Sequence, residues 1–162
     1  MAGGKELYSS FGFYTAIAAD IYTAAVSGQT LDMTGFEAIQ FVVNYASHAS
    51  GGAPGNNIFR FYLEHGLASA AGVSAWSLVP GSQYIHSVYG GYSAADSGYT
   101  AGMLIISGQA LGSYVQFMGY KKDNLHRYIR LGMSISGVPS AMWAGGIAIF
   151  GTPANWPVNV PV

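Results

Sequence analysis

The chain has 162 residues, of which 6 are Lys or Arg, 7 are Asp or Glu and none is Cys. A charged fraction of 8%, against roughly 25% in ordinary soluble domains, is too small to decorate a free-standing surface, and a net charge of −1 offers no field for a phosphate backbone. These totals exclude disulfides, Cys-ligated zinc and thiol catalysis, argue against direct nucleic-acid binding, and point to one domain whose surface is largely covered by other subunits.

Residues 1–20 read as an N-terminal arm or edge strand and lack the pattern of a signal peptide. The segment Ser9 to Ala25 is Ala-rich enough for a helix, but its aromatic and β-branched content argues mildly for strands at Phe13 to Ile17 and Ile21 to Val26. From there to residue 151 the pattern has period 2. Glu37 to Ala46 turns Ile39, Phe41 and Val43 inward. Asn57 to His65 turns Phe59, Phe61 and Leu63 one way and Arg60, Tyr62 and Glu64 the other.

Weaker strands are expected at Ala75 to Val79, Gln83 to Val88, Tyr99 to Ile106 and Ser113 to Met118. His126 to Ile135 places Arg127, Ile129, Leu131, Met133 and Ile135 on one face, with Tyr128, Arg130 and Ser134 on the other. Met142 to Phe150 is the last strand, and its Gly145-Gly146 pair suggests a bulge or a close backbone approach. Turn signals such as Ser27-Gly28, Thr34-Gly35, Pro80-Gly81 and Ser136-Gly137 separate these runs. Short strands at this spacing predict an all-β fold, a β-sandwich or jelly roll spanning residues 21–151. Residues 152–162 carry three prolines, Trp156 and several aliphatics, and read as an extended arm lying in a groove on this domain or on a neighbour.

Little in the chain suggests chemistry. Four His (48, 65, 86 and 126) and the carboxylates are scattered, and no HExxH, DxDxDG or GxSxG motif occurs. Glu64 and His65 are adjacent, so a strand sends them to opposite faces, which defeats a shared metal site between them. The expectation is no enzyme activity, no cofactor and no metal, with each His structural or solvent-facing. No apolar run is long enough for a membrane helix, which needs about 20 residues; the nearest, Val138 to Thr152, contains Pro139 and the glycine pair. Lys121, Lys122, Asp123, Arg127 and Arg130 form the one local charge cluster. It reads either as a docking patch for an acidic partner surface or as a solvated hairpin loop in which Arg127 or Arg130 pairs with Glu64 or Asp123. The 12 Tyr suit subunit interfaces and β-strands alike.

Four features occur in a characteristic order. The first is Asp32, then Gly35-Phe36-Glu37, leading into a strand. The second is a middle strand ending in Glu64, and the third is Gly119-Tyr120-Lys121-Lys122 followed by Arg127-Tyr128-Ile129-Arg130-Leu131. The fourth is a closing Ala148-Ile149-Phe150-Gly151-Thr152-Pro153 with a Pro161-Val162 end. Over residues 31–162 this order resembles the head decoration (cement) proteins of tailed phages and prophages. Two departures stand out: Asp123-Asn124-Leu125-His126 lengthens the basic loop, and His65 to Gly112 is expanded and rich in Tyr, Ser and Gly.

The resemblance implies a small β-sandwich on the virion's capsid surface, often a homotrimer, that binds across subunits of the major capsid protein without catalysis. Three contact regions are expected on this chain. They are the N-terminal arm around Tyr8, Phe11, Phe13 and Tyr14, the patch Lys121, Lys122 and Arg127, and the C-terminal arm around Trp156 and Pro157. The alternatives are a phage tail or fibre component, or a carbohydrate-binding module using Trp76, Tyr84, Tyr89 and Tyr92.

Overall fold

Alternating apolar and polar side chains make strands, because a pleated backbone sends successive residues to opposite faces. A computed structural model describes residues 12–46, 58–69, 72–80, 83–87, 97–100, 103–107, 113–136 and 141–151, and there the chain is nearly all β. The strands are β1 (Gly12–Tyr22), β2 (Val26–Ser27), β3 (Leu31–Asp32), β4 (Ala38–Ala46), β5 (Ile58–Ser69) and β6 (Gly72–Leu78). They continue as β7 (Tyr84–Ser87), β8 (Ser97–Thr100), β9 (Met103–Ser107), β10 (Ser113–Lys121), β11 (His126–Ser136) and β12 (Met142–Gly151). None of the described residues forms a helix long and apolar enough to cross a membrane.

Two antiparallel sheets result. One has five strands in the order β1-β12-β4-β10-β7. The other follows β2-β11-β5-β9-β8, with β3 also paired to β11 and β6 to β5. The chain therefore passes repeatedly from one sheet to the other, and the fold is an all-β, sandwich-like one. Its core is filled by the inward positions of both sheets. Ile39, Phe41, Val43 and Tyr45 of β4 lie against Phe59, Phe61 and Leu63 of β5 and Ile129, Leu131 and Met133 of β11, all at 0% exposure. The Tyr45 and Phe61 rings meet across the sheets at 6.0 Å. Burying an aromatic or large aliphatic side chain contributes roughly 1.5–3 kcal/mol, so this double row supplies much of the fold's stability.

Several sequence expectations are refined. Ser9 to Ala25 is not helical where described: β1 runs as one strand through Tyr22 and then bends, so a separate strand at Ile21 to Val26 does not form. Tyr99 to Ile106 is two antiparallel strands, β8 and β9, paired Thr100↔Met103. The face assigned to Arg127 is wrong. A register shift between His126 and Tyr128 opens the β11–β5 ladder and releases Arg127 from the core side to Asp32 on β3. The glycine pair behaves as expected, with the irregularity on the neighbouring strand. β1 shifts register twice, at Thr15/Ile17 and at Ile17/Asp20, opposite Gly146. A Cβ on Gly145 would stand 3.1 Å from Ala19 Cα, and one on Gly146 2.8 Å from Leu131 Cδ2.

Candidate functional site

At one end of the sandwich the β10–β11 turn folds under β5. Asp123 shapes that turn: its Oδ1 accepts the backbone N–H of Leu125 at 3.0 Å and of His126 at 2.7 Å. Its Oδ2 accepts the Gln83 side-chain amide at 2.8 Å and His126 Nδ1–H at 2.7 Å. His65 continues the inward parity of Phe59, Phe61 and Leu63, so β5 carries an imidazole into the core, where it is 4% exposed. Its ring lies parallel to that of His126, with centroids 3.5 Å apart. On its other side His65 Nδ1 and Tyr120 Oη are 3.2 Å apart, joining β5 of one sheet to β10 of the other.

These contacts tune the groups. Burial is the main force lowering the His65 pKa; His126 adds to it and Asp123 opposes it. Burial also drives the Tyr120 phenol well above its usual range, reinforced by the Asp123 charge. For Asp123, burial alone would raise the pKa. The hydrogen bonds from Gln83, from the backbone and ring of His126 and from the Leu125 N–H outweigh it and hold the carboxyl well below the usual range. One ligand atom each from His65, Asp123 and His126 lies within 4.8 Å of the others. Among the described residues the hydroxyl that meets an imidazole here is the Tyr120 phenol, 3.2 Å from His65 Nδ1. The arrangement is suited to holding a cation or a proton. The sequence reading missed this cluster. It treated the four His as scattered, and its members are brought together only by the ladder and the turn. The available signal was His65 itself, an ionisable residue at an inward-facing position.

The basic patch is partly self-satisfied. Arg127 grips Asp32 with Nε at 2.9 and 3.1 Å and Nη2 at 2.5 Å. Lys122 donates through Nζ to the Met33 carbonyl at 3.2 Å. Arg130 is held by Glu64 at 2.7 Å, the pairing expected for a solvated hairpin, and its guanidinium lies 4.2 Å over the Trp76 ring. Lys121 is exposed. A pocket of about 510 Å³ opens between this turn and the β3–β4 turn, but Glu37 and Asp123 balance Lys121 and Lys122 along its lining, so it offers no net field. Of the other expected contact residues, Phe13 and Tyr14 are 65% and 51% exposed. Tyr8, Phe11, Trp156 and Pro157 lie outside the described residues, as do Tyr89 and Tyr92. Tyr84 belongs to β7.

The outer face of the five-stranded sheet is unusual. Cross-strand register aligns Phe13, Ile149 and Gln40 in one row, then Thr15, Ile147, Val42 and Phe117, then Gly145, Asn44 and Val115, then Ile21 and Trp143. Phe13, Ile21, Val115, Trp143 and Ile147 are all exposed. Among the described residues of β1, β4, β10 and β12, only Lys121, at one corner, brings a charge to this face. The opposite sheet presents Arg60, Glu64 and Arg130 outward together with Tyr62 and Tyr128. No family model and no curated protein matches the chain.

Proposed function

We propose that this chain is a non-enzymatic virion structural protein, a capsid decoration or cement protein that sits on the capsid surface as a homo-oligomer, a trimer in the simplest form. In this reading it binds across subunits of the major capsid protein and stabilises the head. The observation that carries the reading is the outer face of the five-stranded sheet, where Phe13, Ile21, Val115, Trp143 and Ile147 are exposed and, among the described residues of β1, β4, β10 and β12, the Lys121 corner brings the charge. Contiguous apolar surface of this kind marks sites where another protein is bound. The ion-paired face of the other sheet then meets water. Low overall charge and the order of motifs over residues 31–162 support the same reading.

The strand order adds further support. With β3 taken beside β2, the strand orders β1-β12-β4-β10 and β3-β11-β5-β9 support reading the sandwich as a jelly roll of two interleaved Greek keys. This architecture is frequent in viral shells and is shared with lectin domains, and fold alone does not assign function. The glycan-binding alternative draws less from the chain, because Arg130 already covers one face of the Trp76 ring. The deciding experiment is stoichiometry by mass spectrometry in purified particles with heads and tails separated. Hundreds of copies in the head fraction are expected. A few copies in the tail fraction would move the chain to tail or fibre architecture, and absence from both would overturn the virion reading.

A further inference from the structure

We propose that His65, Asp123 and His126 form a binding site for a single transition-metal ion of the Zn²⁺, Ni²⁺ or Co²⁺ type. Two imidazoles and one carboxylate are a donor set that selects these ions over Mg²⁺ and Ca²⁺, which prefer oxygen ligands throughout. One ligand atom from each side chain already lies within 4.8 Å of the others, and bonds to zinc are about 2.0–2.2 Å, so modest side-chain rotation closes the set. The stacked rings must turn out of parallel for both to meet one ion.

The surroundings are those of a supported site. Histidine ligands usually engage their second ring nitrogen with a carboxylate or other oxygen, which fixes the tautomer and aims the ring. Here Tyr120 Oη stands 3.2 Å from His65 Nδ1. When that nitrogen donates to the phenol oxygen, His65 Nε2 is left with a free lone pair. Asp123 is fixed by two backbone N–H groups and by Gln83. The amide oxygen of Gln83, on the same group that donates to Asp123, is buried without any hydrogen-bond partner. A buried acceptor left alone is costly, and an ion or its bound water beside Asp123 would satisfy it. The His126 and Asp123 side chains are 16% and 25% exposed, so an ion can enter from solvent. The ion would tie β5 to the β10–β11 turn.

The test uses the full chain, stripped with EDTA, titrated with ZnCl₂ by calorimetry and with CoCl₂ by visible absorption. Expected are one ion per chain, visible d–d bands from bound Co²⁺, and a raised melting temperature with Zn²⁺. His126→Gln, at the start of β11, is expected to fold and to lose at least about 10-fold in affinity. His65→Phe, which keeps an apolar group in the core, should lose as much; if it does not fold, His126→Gln decides. The double variant His48→Gln/His86→Gln should bind as the parent does. The proposal is overturned if the parent shows no saturable binding, if His126→Gln binds unchanged, if the His48/His86 variant loses the ion, or if MgCl₂ displaces Zn²⁺ at equal concentration.

Discussion

Single residues at the seam between the sheets are the least replaceable. Gly28 donates its N–H to the Leu131 carbonyl at 2.8 Å, and the next residue, Gln29, donates to the Ala16 carbonyl at 2.8 Å. A side chain on Gly28 would be driven into both carbonyl oxygens. These are backbone atoms of β11 and β1, in different sheets, so neither can rotate aside. Gly28→Ala is expected to break one or both bonds, at about 1–3 kcal/mol for each group left unpaired, and urea titration will measure the loss. A second prediction at this scale concerns acid. The Arg127 guanidinium holds the Asp32 carboxyl well below its usual range, helped by the hydroxyl and N–H of Thr34. A carboxyl lowered in the folded state binds fewer protons there than in the unfolded chain. Its stabilisation is therefore complete above the unfolded value near 3.8 and is lost as pH falls through the folded one. Because the pair is 40–46% exposed, the effect is modest and screened by salt. Asp32→Asn should flatten the fall in unfolding free energy between about pH 4 and pH 2, and an unchanged slope would remove Asp32 from the account.

At the scale of elements, the strands with strict alternation were legible in the sequence: β4, β5 and most of β11 keep the expected inward sets. Legibility ended where the ladder is interrupted. Alternation assigns Arg127 to the core face, but the shift at His126/Tyr128 cancels parity there, and nothing local in the sequence marks that extra residue. The His65–His126 contact was hidden for a related reason: it is made by a ladder pairing and a turn, not by spacing along the chain. The Gly145-Gly146 pair was legible as a close approach, because lack of a side chain matters only where another backbone comes near. Its consequence falls on β1, the edge strand, which lies on those glycines with two register shifts. Gly145→Val would push against Ala19 Cα, 3.1 Å from the Cβ position. We expect β1 to detach locally at a cost of about 1–3 kcal/mol. Hydrogen exchange should then quicken for β1 amides while β5 and β11 amides keep their protection. Uniform loss across both sheets would mean that β1 is not a separable element.

For the whole molecule, the decisive asymmetry is between the two outer faces. The sheet carrying Arg60, Glu64 and Arg130 is polar and charged: Arg130 bonds Glu64 as an ion pair, and Arg60 keeps its charge while donating to Ser136 Oγ at 2.9 Å. The other sheet places Trp143 and Ile147 on β12 beside Ile21 and Thr15 of β1, with Asp20 next along the edge strand. Phe13, Ile21, Val115, Trp143 and Ile147 share one outer face, while Leu67, Leu78 and Leu125 are exposed elsewhere; under the proposed function the shared face is the contact in the assembly. Replacing both Trp143 and Ile147 by Lys puts two positive charges at the centre of this face. Trp143 and Ile147 are 36% and 46% exposed, so each change also removes some packing, at about 0.5–3 kcal/mol of folding stability. Association should suffer far more, because a buried unpaired charge at an interface is strongly unfavourable. Under the proposed function the parent chain is expected to be oligomeric by light scattering and the variant a folded monomer, with particle binding lost. If the variant assembles and binds particles as the parent does, the contact lies elsewhere, and the arms around Tyr8 and Trp156 become the next segments to change.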